Sequence, residues 1–96
     1  MKAFVLSARP CLLYDLGVSP TVFREGPYRF FFFSREESRM HVHVYSSAGE
    51  AKFWMRPRIE LAKNSGIPSR ELSILARIIE RHADEIAAAW HERFGS

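Results

Sequence analysis

Between Thr21 and Met55, apolar and polar positions alternate in short runs, the two-residue period of strands that bury one face. The stretches "TVFR" and "YRFFFFS" are rich in β-branched and aromatic residues, and "EGP" between them reads as a turn. "REESRM" is a charged loop. "HVHVYS" then alternates cleanly, with Val42 and Val44 on one side and His41, His43 and Tyr45 on the other. After "SAGE", a second turn, "AKFWM" alternates again. With Ser46 opposite Ala51, the expected pairs are Tyr45 with Lys52, Val44 with Phe53, His43 with Trp54 and Val42 with Met55. One face of this hairpin then reads Val42, Val44, Phe53, Met55. The other reads His41, His43, Tyr45, Lys52, Trp54, Arg56.

Past Pro57 the period fades. "RIELAKNSG" is read as either an extended stretch or a single helical turn, closed by Asn64 and Gly66. Ser69 is the expected N-cap of a helix, with Glu71 in its first turn facing the positive end of the dipole. Leu72, Leu75, Ile79, His82, Ala83, Ile86, Trp90 and Phe94 then recur every three or four positions as one apolar stripe, and Gly95 is a stop. Such a helix, about 26 residues, would be ~39 Å long. A break near His82–Asp84 stays open, although no Gly or Pro requires one.

The expected fold is α+β: an antiparallel three- to four-stranded meander followed by one long C-terminal helix packed on one sheet face. Ninety-six residues make a single domain, placed at 18–96. Residues 1–17 show no period and are punctuated by Pro10 and Gly17, so they are expected to be an extension outside the domain. Val18 suits an alternative bacterial start codon.

Composition adds limits. The chain is 47% hydrophobic and 26% charged, which is ordinary for a globular protein, but 14% aromatic is high. Its net charge of +3 is concentrated in residues 18–68, with eight Lys/Arg against five Asp/Glu. That excess is mild for a nucleic-acid binder and first reads as a solubilising surface. A lone Cys11 cannot form an internal disulfide and suits a reducing compartment. "AFVL" is too short for a signal peptide, and no apolar run approaches the ~20 residues of a membrane span. A cytoplasmic protein without membrane contact is expected.

From "SPTVFREGPYRFFFFSREESRMHVHVYS" through "AKFW" and "IELA" to "AAWHERFGS", residues 19–96 resemble the prokaryotic domain-of-unknown-function family 4160. The most specific signature is the His-x-His-Val strand, here His41, His43 and Val44, with Trp90 near the C-terminus. Family members usually carry Pro in the loop before that strand, where this chain has Ser38-Arg39-Met40. The resemblance implies a small protein partner encoded nearby, in an arrangement similar to toxin–antitoxin pairs. It implies no set of catalytic residues.

Four chemistries compete for the His41/His43 face. Two strand histidines spaced by one residue stand ~6.5–7 Å apart on one side, but no third ligand joins them, so neither metal nor cofactor is expected. Metal-independent RNA cleavage would use His41, His43 and Tyr45 for proton transfer, with Lys52 and Arg56 on the phosphate. RNA binding without cleavage would stack bases on Tyr45 and Trp54, joined by Phe30 or Phe32. Which phenylalanines join depends on register, because a one-residue slip exchanges Phe30/Phe32 for Phe31/Phe33.

The fourth reading needs no motif. "FFFF" is apolar on both sides of its strand, and a helix covers only one, so a second copy, a partner protein or the N-terminal segment is expected over the other. A protein-binding module, and not an enzyme, is therefore the leading reading. Its binding face is His41, His43, Tyr45, Lys52, Trp54, Arg56, Phe30 and Phe32. His82 is expected at the core boundary, and Trp90 and Phe94 as anchors of the helix end.

Overall fold

The computed structural model describes residues 21–33 and 38–95. The extension placed at 1–17 and the boundary at residue 18 lie outside the described residues. Five strands follow one another as an antiparallel meander in the order β1-β2-β3-β4-β5: β1 Thr21–Glu25, β2 Tyr28–Phe31, β3 His41–Ser46, β4 Gly49–Trp54 and β5 Glu60–Ser65. Two helices complete the described residues, α1 Ser69–Arg81 and α2 Ala83–Phe94. The α+β class is as expected, with one strand more and one helix break more than the meander read from the sequence.

The alternation in "HVHVYS" and "AKFW" sorts side chains as the period requires. Val42, Val44, Ala51, Phe53 and Met55 are buried on the helix side, with Tyr28, Phe30 and Phe32 from the β2 segment. They form one cluster with Ile67, Leu75, Ile78, Ile79, Ile86 and Trp90. The hairpin register differs from the expected one by two residues: Ser46 pairs with Gly49, Tyr45 with Glu50, Val44 with Ala51, His43 with Lys52, Val42 with Phe53 and His41 with Trp54. The turn is therefore tighter, with only Ser47 and Ala48 between the strands. A slip of two keeps every side chain on its face, so the face assignments survive it.

The tight turn depends on a close approach. Gly66 has φ 96° and lies against the turn, where a Cβ would stand 2.6 Å from the Ala48 carbonyl oxygen. Only glycine fits both the backbone angle and the space. The loop after β5 is closed by Asn64, whose Nδ2 donates to the Ile67 carbonyl (2.9 Å) and whose Oδ1 accepts from the Ile67 N–H (3.1 Å). "ELAKNS", left ambiguous by its pattern, is thus an edge strand, exposed along most of its length.

The helix stripe is realised, with two corrections. Pro68, not Ser69, is the N-cap, its carbonyl accepting from the Glu71 N–H at 2.9 Å. The single long helix is broken at His82, whose backbone (φ −105°, ψ 16°) leaves the helical region and whose N–H is shared between the Ile78 and Ile79 carbonyls, 3.1 Å each. The cause is tertiary. The His82 ring stacks on Phe23 of β1 (4.0 Å between centroids) and reaches Glu25 of the same strand, so the corner follows the sheet edge. Gly95 ends α2 in the left-handed region (φ 81°), its N–H donating to the His91 carbonyl at 2.8 Å, as expected.

Two further polar ties bind the layers. The Tyr28 hydroxyl donates to Glu71 Oε1 at 2.8 Å, joining β2 to the first turn of α1. Burial, together with this bond to a carboxylate, raises the phenol above its ordinary pKa. Arg81 Nη2 donates to Glu25 Oε2 at 2.7 Å.

Candidate functional site

The sheet face turned away from the helices is laid out in transverse rows. Arg29, Tyr45, Glu50 and Ser65 are successive partners across β2 to β5. The next row is Phe31, His43, Lys52 and Lys63. The row after it holds His41, Trp54 and Glu60 on β3 to β5. Among the described residues, the helix stripe packs on the opposite side, and Trp90 of α2 reaches His41 at the end of this face.

Of the expected binding face, His41, His43, Tyr45, Lys52 and Trp54 are brought together. Phe30 and Phe32 are not: they lie in the core on the helix side, Phe30 stacked on Phe23 at 4.4 Å and Phe32 edge-on to Trp90 at 5.4 Å. Pairing of Phe30 with Val44 and of Phe31 with His43 sets this register. Phe31 and Phe33 take the outer positions instead. Arg56 is exposed just beyond the end of β4, with its carbonyl accepting from Arg39 Nε at 2.9 Å.

The two histidines have different surroundings. His41 is fully buried (0% exposed), edge-on to His43 (5.1 Å), Trp54 (5.6 Å) and Trp90 (5.2 Å). Its Nδ1 stands 2.7 Å from the Arg39 carbonyl, which can only accept, so the proton is on Nδ1. No substrate reaches this ring. His43 is half-buried between Phe31 (5.4 Å) and Phe33 (4.3 Å) and lines a surface cleft. The expected His41/His43/Tyr45 catalytic group therefore has one sealed member, one in a cleft and one exposed.

Cations stand over the rings of this face. The Arg39 guanidinium lies 4.1 Å and the Lys52 ammonium 4.5 Å from the Trp54 ring, while Arg29 covers Phe31 at 4.5 Å. Arg29 Nε also donates to Thr21 Oγ1 at 2.6 Å, and Arg39 makes a long ion pair with Glu60 at 3.8 Å. Phe31 is thus 3% exposed, covered by its own neighbours and not by a partner. Phe33 at 39% and Tyr45 at 49% remain open. The outer face is sealed in its middle and presents fixed positive charge with two open rings.

Sequence reasoning missed Arg29, Arg39 and Lys63 on this side, and held Phe31 and Phe33 only as the alternative register. Arg29, Phe31 and Phe33 share a parity, so the register against "HVHVYS" would have revealed them together. Among the described residues, no group of three or more His, Cys, Asp or Glu is placed to hold a metal ion, and no helix is long and apolar enough to cross a membrane.

Residues 28–91 match the family model described as "Domain of unknown function (DUF4160)", two thirds of the chain, and the protein belongs to that family. No curated protein and no solved structure matches the chain. The matched span runs from the first residue of β2 to one residue past Trp90, so it contains the His-x-His strand, the outer face from β2 onward, all of α1 and α2 as far as His91, and omits β1.

Proposed function

We propose that the protein is a binding module that docks an acidic protein partner on the open face of its sheet, as one half of a toxin–antitoxin-like or regulatory pair. The observation that carries this reading is the pair of cations over Trp54, on the same face as the exposed Phe33 and Tyr45. A guanidinium already immobilised on a ring loses less side-chain freedom when it meets a carboxylate, which favours tight docking. Charge complementarity names the partner: Arg29, Arg39, Lys52 and Lys63 stand on this face against Glu50 and Glu60. Its setting would be the prokaryotic cytoplasm, in keeping with the lone cysteine.

The ribonuclease-type reading has less support, because its two-histidine kit requires His41 to reach a substrate. The test is co-expression with the small protein encoded beside it, followed by size-exclusion chromatography with light scattering. A stable heteromeric complex that Trp54→Ala and Arg39→Glu each weaken is the expected result. A homodimer unaffected by the neighbour, or a complex indifferent to both substitutions, would count against the reading.

A further inference from the structure

One row of the outer face repeats basic side chains where a sheet normally offsets them. His43, Lys52 and Lys63 are directly opposed neighbours across β3, β4 and β5. Like charges in directly opposed positions weaken a sheet, and an anion between them reverses the sign of the effect. The Lys63 side chain forms no hydrogen bond or ion pair with any described residue. The same row floors a cleft of about 330 Å³ lined by Phe33, His43, Glu50, Lys52, Lys63 and Ser65.

The lining is graded across the sheet. At the β4–β5 side stand two ammonium groups, donors suited to a phosphoryl group, and one row away the Ser65 hydroxyl opposite the Glu50 carboxylate. At the β2–β3 side stand two rings, Phe33 and His43, 4.3 Å apart and tilted by 60°. Glu50 is one row from the lysines, placed to accept from hydroxyls and not to oppose a phosphate directly. From β2 to β5 is three strand spacings, about 14 Å, the length scale of one nucleotide. The volume is also within the range of small-ligand sites.

We infer that this cleft binds a nucleoside monophosphate, with its phosphate between Lys52 and Lys63, its ribose hydroxyls toward Glu50 and its base against Phe33. The ligand is either a free mononucleotide or the phosphorylated end of an RNA strand, which share this chemistry. The inference is drawn from the cleft alone; because the docking face and the cleft share Lys52 and Phe33, nucleotide and protein partner would compete there.

The experiment is a titration of the isotope-labelled protein, followed by amide NMR shifts, with UMP, AMP, uridine, inorganic phosphate and a short RNA with and without a 5′-phosphate. Saturable shifts at residues 43, 50, 52 and 63 are expected with the nucleotides, with affinity at least about tenfold above uridine and above inorganic phosphate. Lys63→Ala, exposed and on an edge strand, should weaken the nucleotide about tenfold while Lys63→Arg keeps it within about threefold. A phosphorylated RNA that binds tighter than UMP assigns the site to an RNA end. Equal binding assigns it to the free nucleotide. The inference is overturned if uridine or inorganic phosphate binds as well as UMP, if the shifts fall elsewhere or do not saturate, or if Lys63→Ala, shown folded by its melting curve, changes nothing.

Discussion

The corner between the helices makes stability depend on pH in a defined direction. His82 Nδ1 is 2.8 Å from Glu85 Oε1 and its Nε2 is 3.1 Å from Glu25 Oε1. A neutral imidazole has a single N–H and can satisfy only one of these carboxylates; the imidazolium satisfies both. The bond to Glu85, reinforced by Glu25, raises the His82 pKa above its ordinary value, with partial burial opposing. A raised folded-state pKa contributes stability that is complete below the unfolded value near 6.5 and is lost as pH rises through the folded value. Arg81, which also grips Glu25 at 2.7 Å, stays charged throughout, so β1 remains tied and only the His82 share titrates.

That share is modest. Charge-assisted bonds contribute about 1.5–3 kcal/mol when dry, but exposed ion pairs contribute about 0.2–1 kcal/mol. With the His82 side chain 29% exposed and its carboxylate partners 36% and 51% exposed, the surface range governs, and the two bonds together are worth about 1 kcal/mol. For a domain of this size that is a shift of about 4–8 °C in Tm. Thermal unfolding of wild type and His82→Gln, followed by circular dichroism at steps from about pH 5.5 to 8.5, measures it. The wild-type advantage should be largest at the acid end and shrink by those few degrees at the alkaline end. An advantage that is constant, or that grows with pH, would refute the two-carboxylate clamp.

Two other substitutions test the packing. Phe30→Ala should cost about 3–5 kcal/mol in urea unfolding, whereas Phe33→Ala, 39% exposed, should cost about 1 kcal/mol or less; the reverse order would mean that the phenylalanine register is wrong. Gly66→Ala should lose more than about 1 kcal/mol, from a positive φ and a collision with the Ala48 carbonyl, and a neutral effect would contradict the close approach.

The faces of the β3–β4 hairpin were legible because two strands with period two must agree, and a two-residue error in pairing leaves that agreement intact. Turn length was not legible: "SSAGE" offers several loops, and the seat of Gly66 against Ala48 decides between them only in three dimensions. Four consecutive phenylalanines carry no alternation, so Phe30 and Phe32 were assigned to the wrong side until pairing with Val44 placed them. Strand β5 stayed ambiguous between an extended stretch and a helical turn because an edge strand exposed along most of its length, "ELAKNS", has no apolar period to read. The break at His82 left no Gly or Pro in the sequence, since its cause is a stacking ring and a carboxylate on a strand 57 residues away. His41 looked like a surface residue by alternation, and Trp90 from the helix layer is part of what buries it.

The central claim is that the open sheet face is the working surface. Hydrogen–deuterium exchange of the co-purified complex against the isolated protein tests it most directly. Protection should concentrate in β3 and β4 around Tyr45, Lys52 and Trp54, and on the edge strand β5, with α1 and α2 unchanged. Protection confined to the helices, with the sheet exchanging as in the isolated chain, would contradict it.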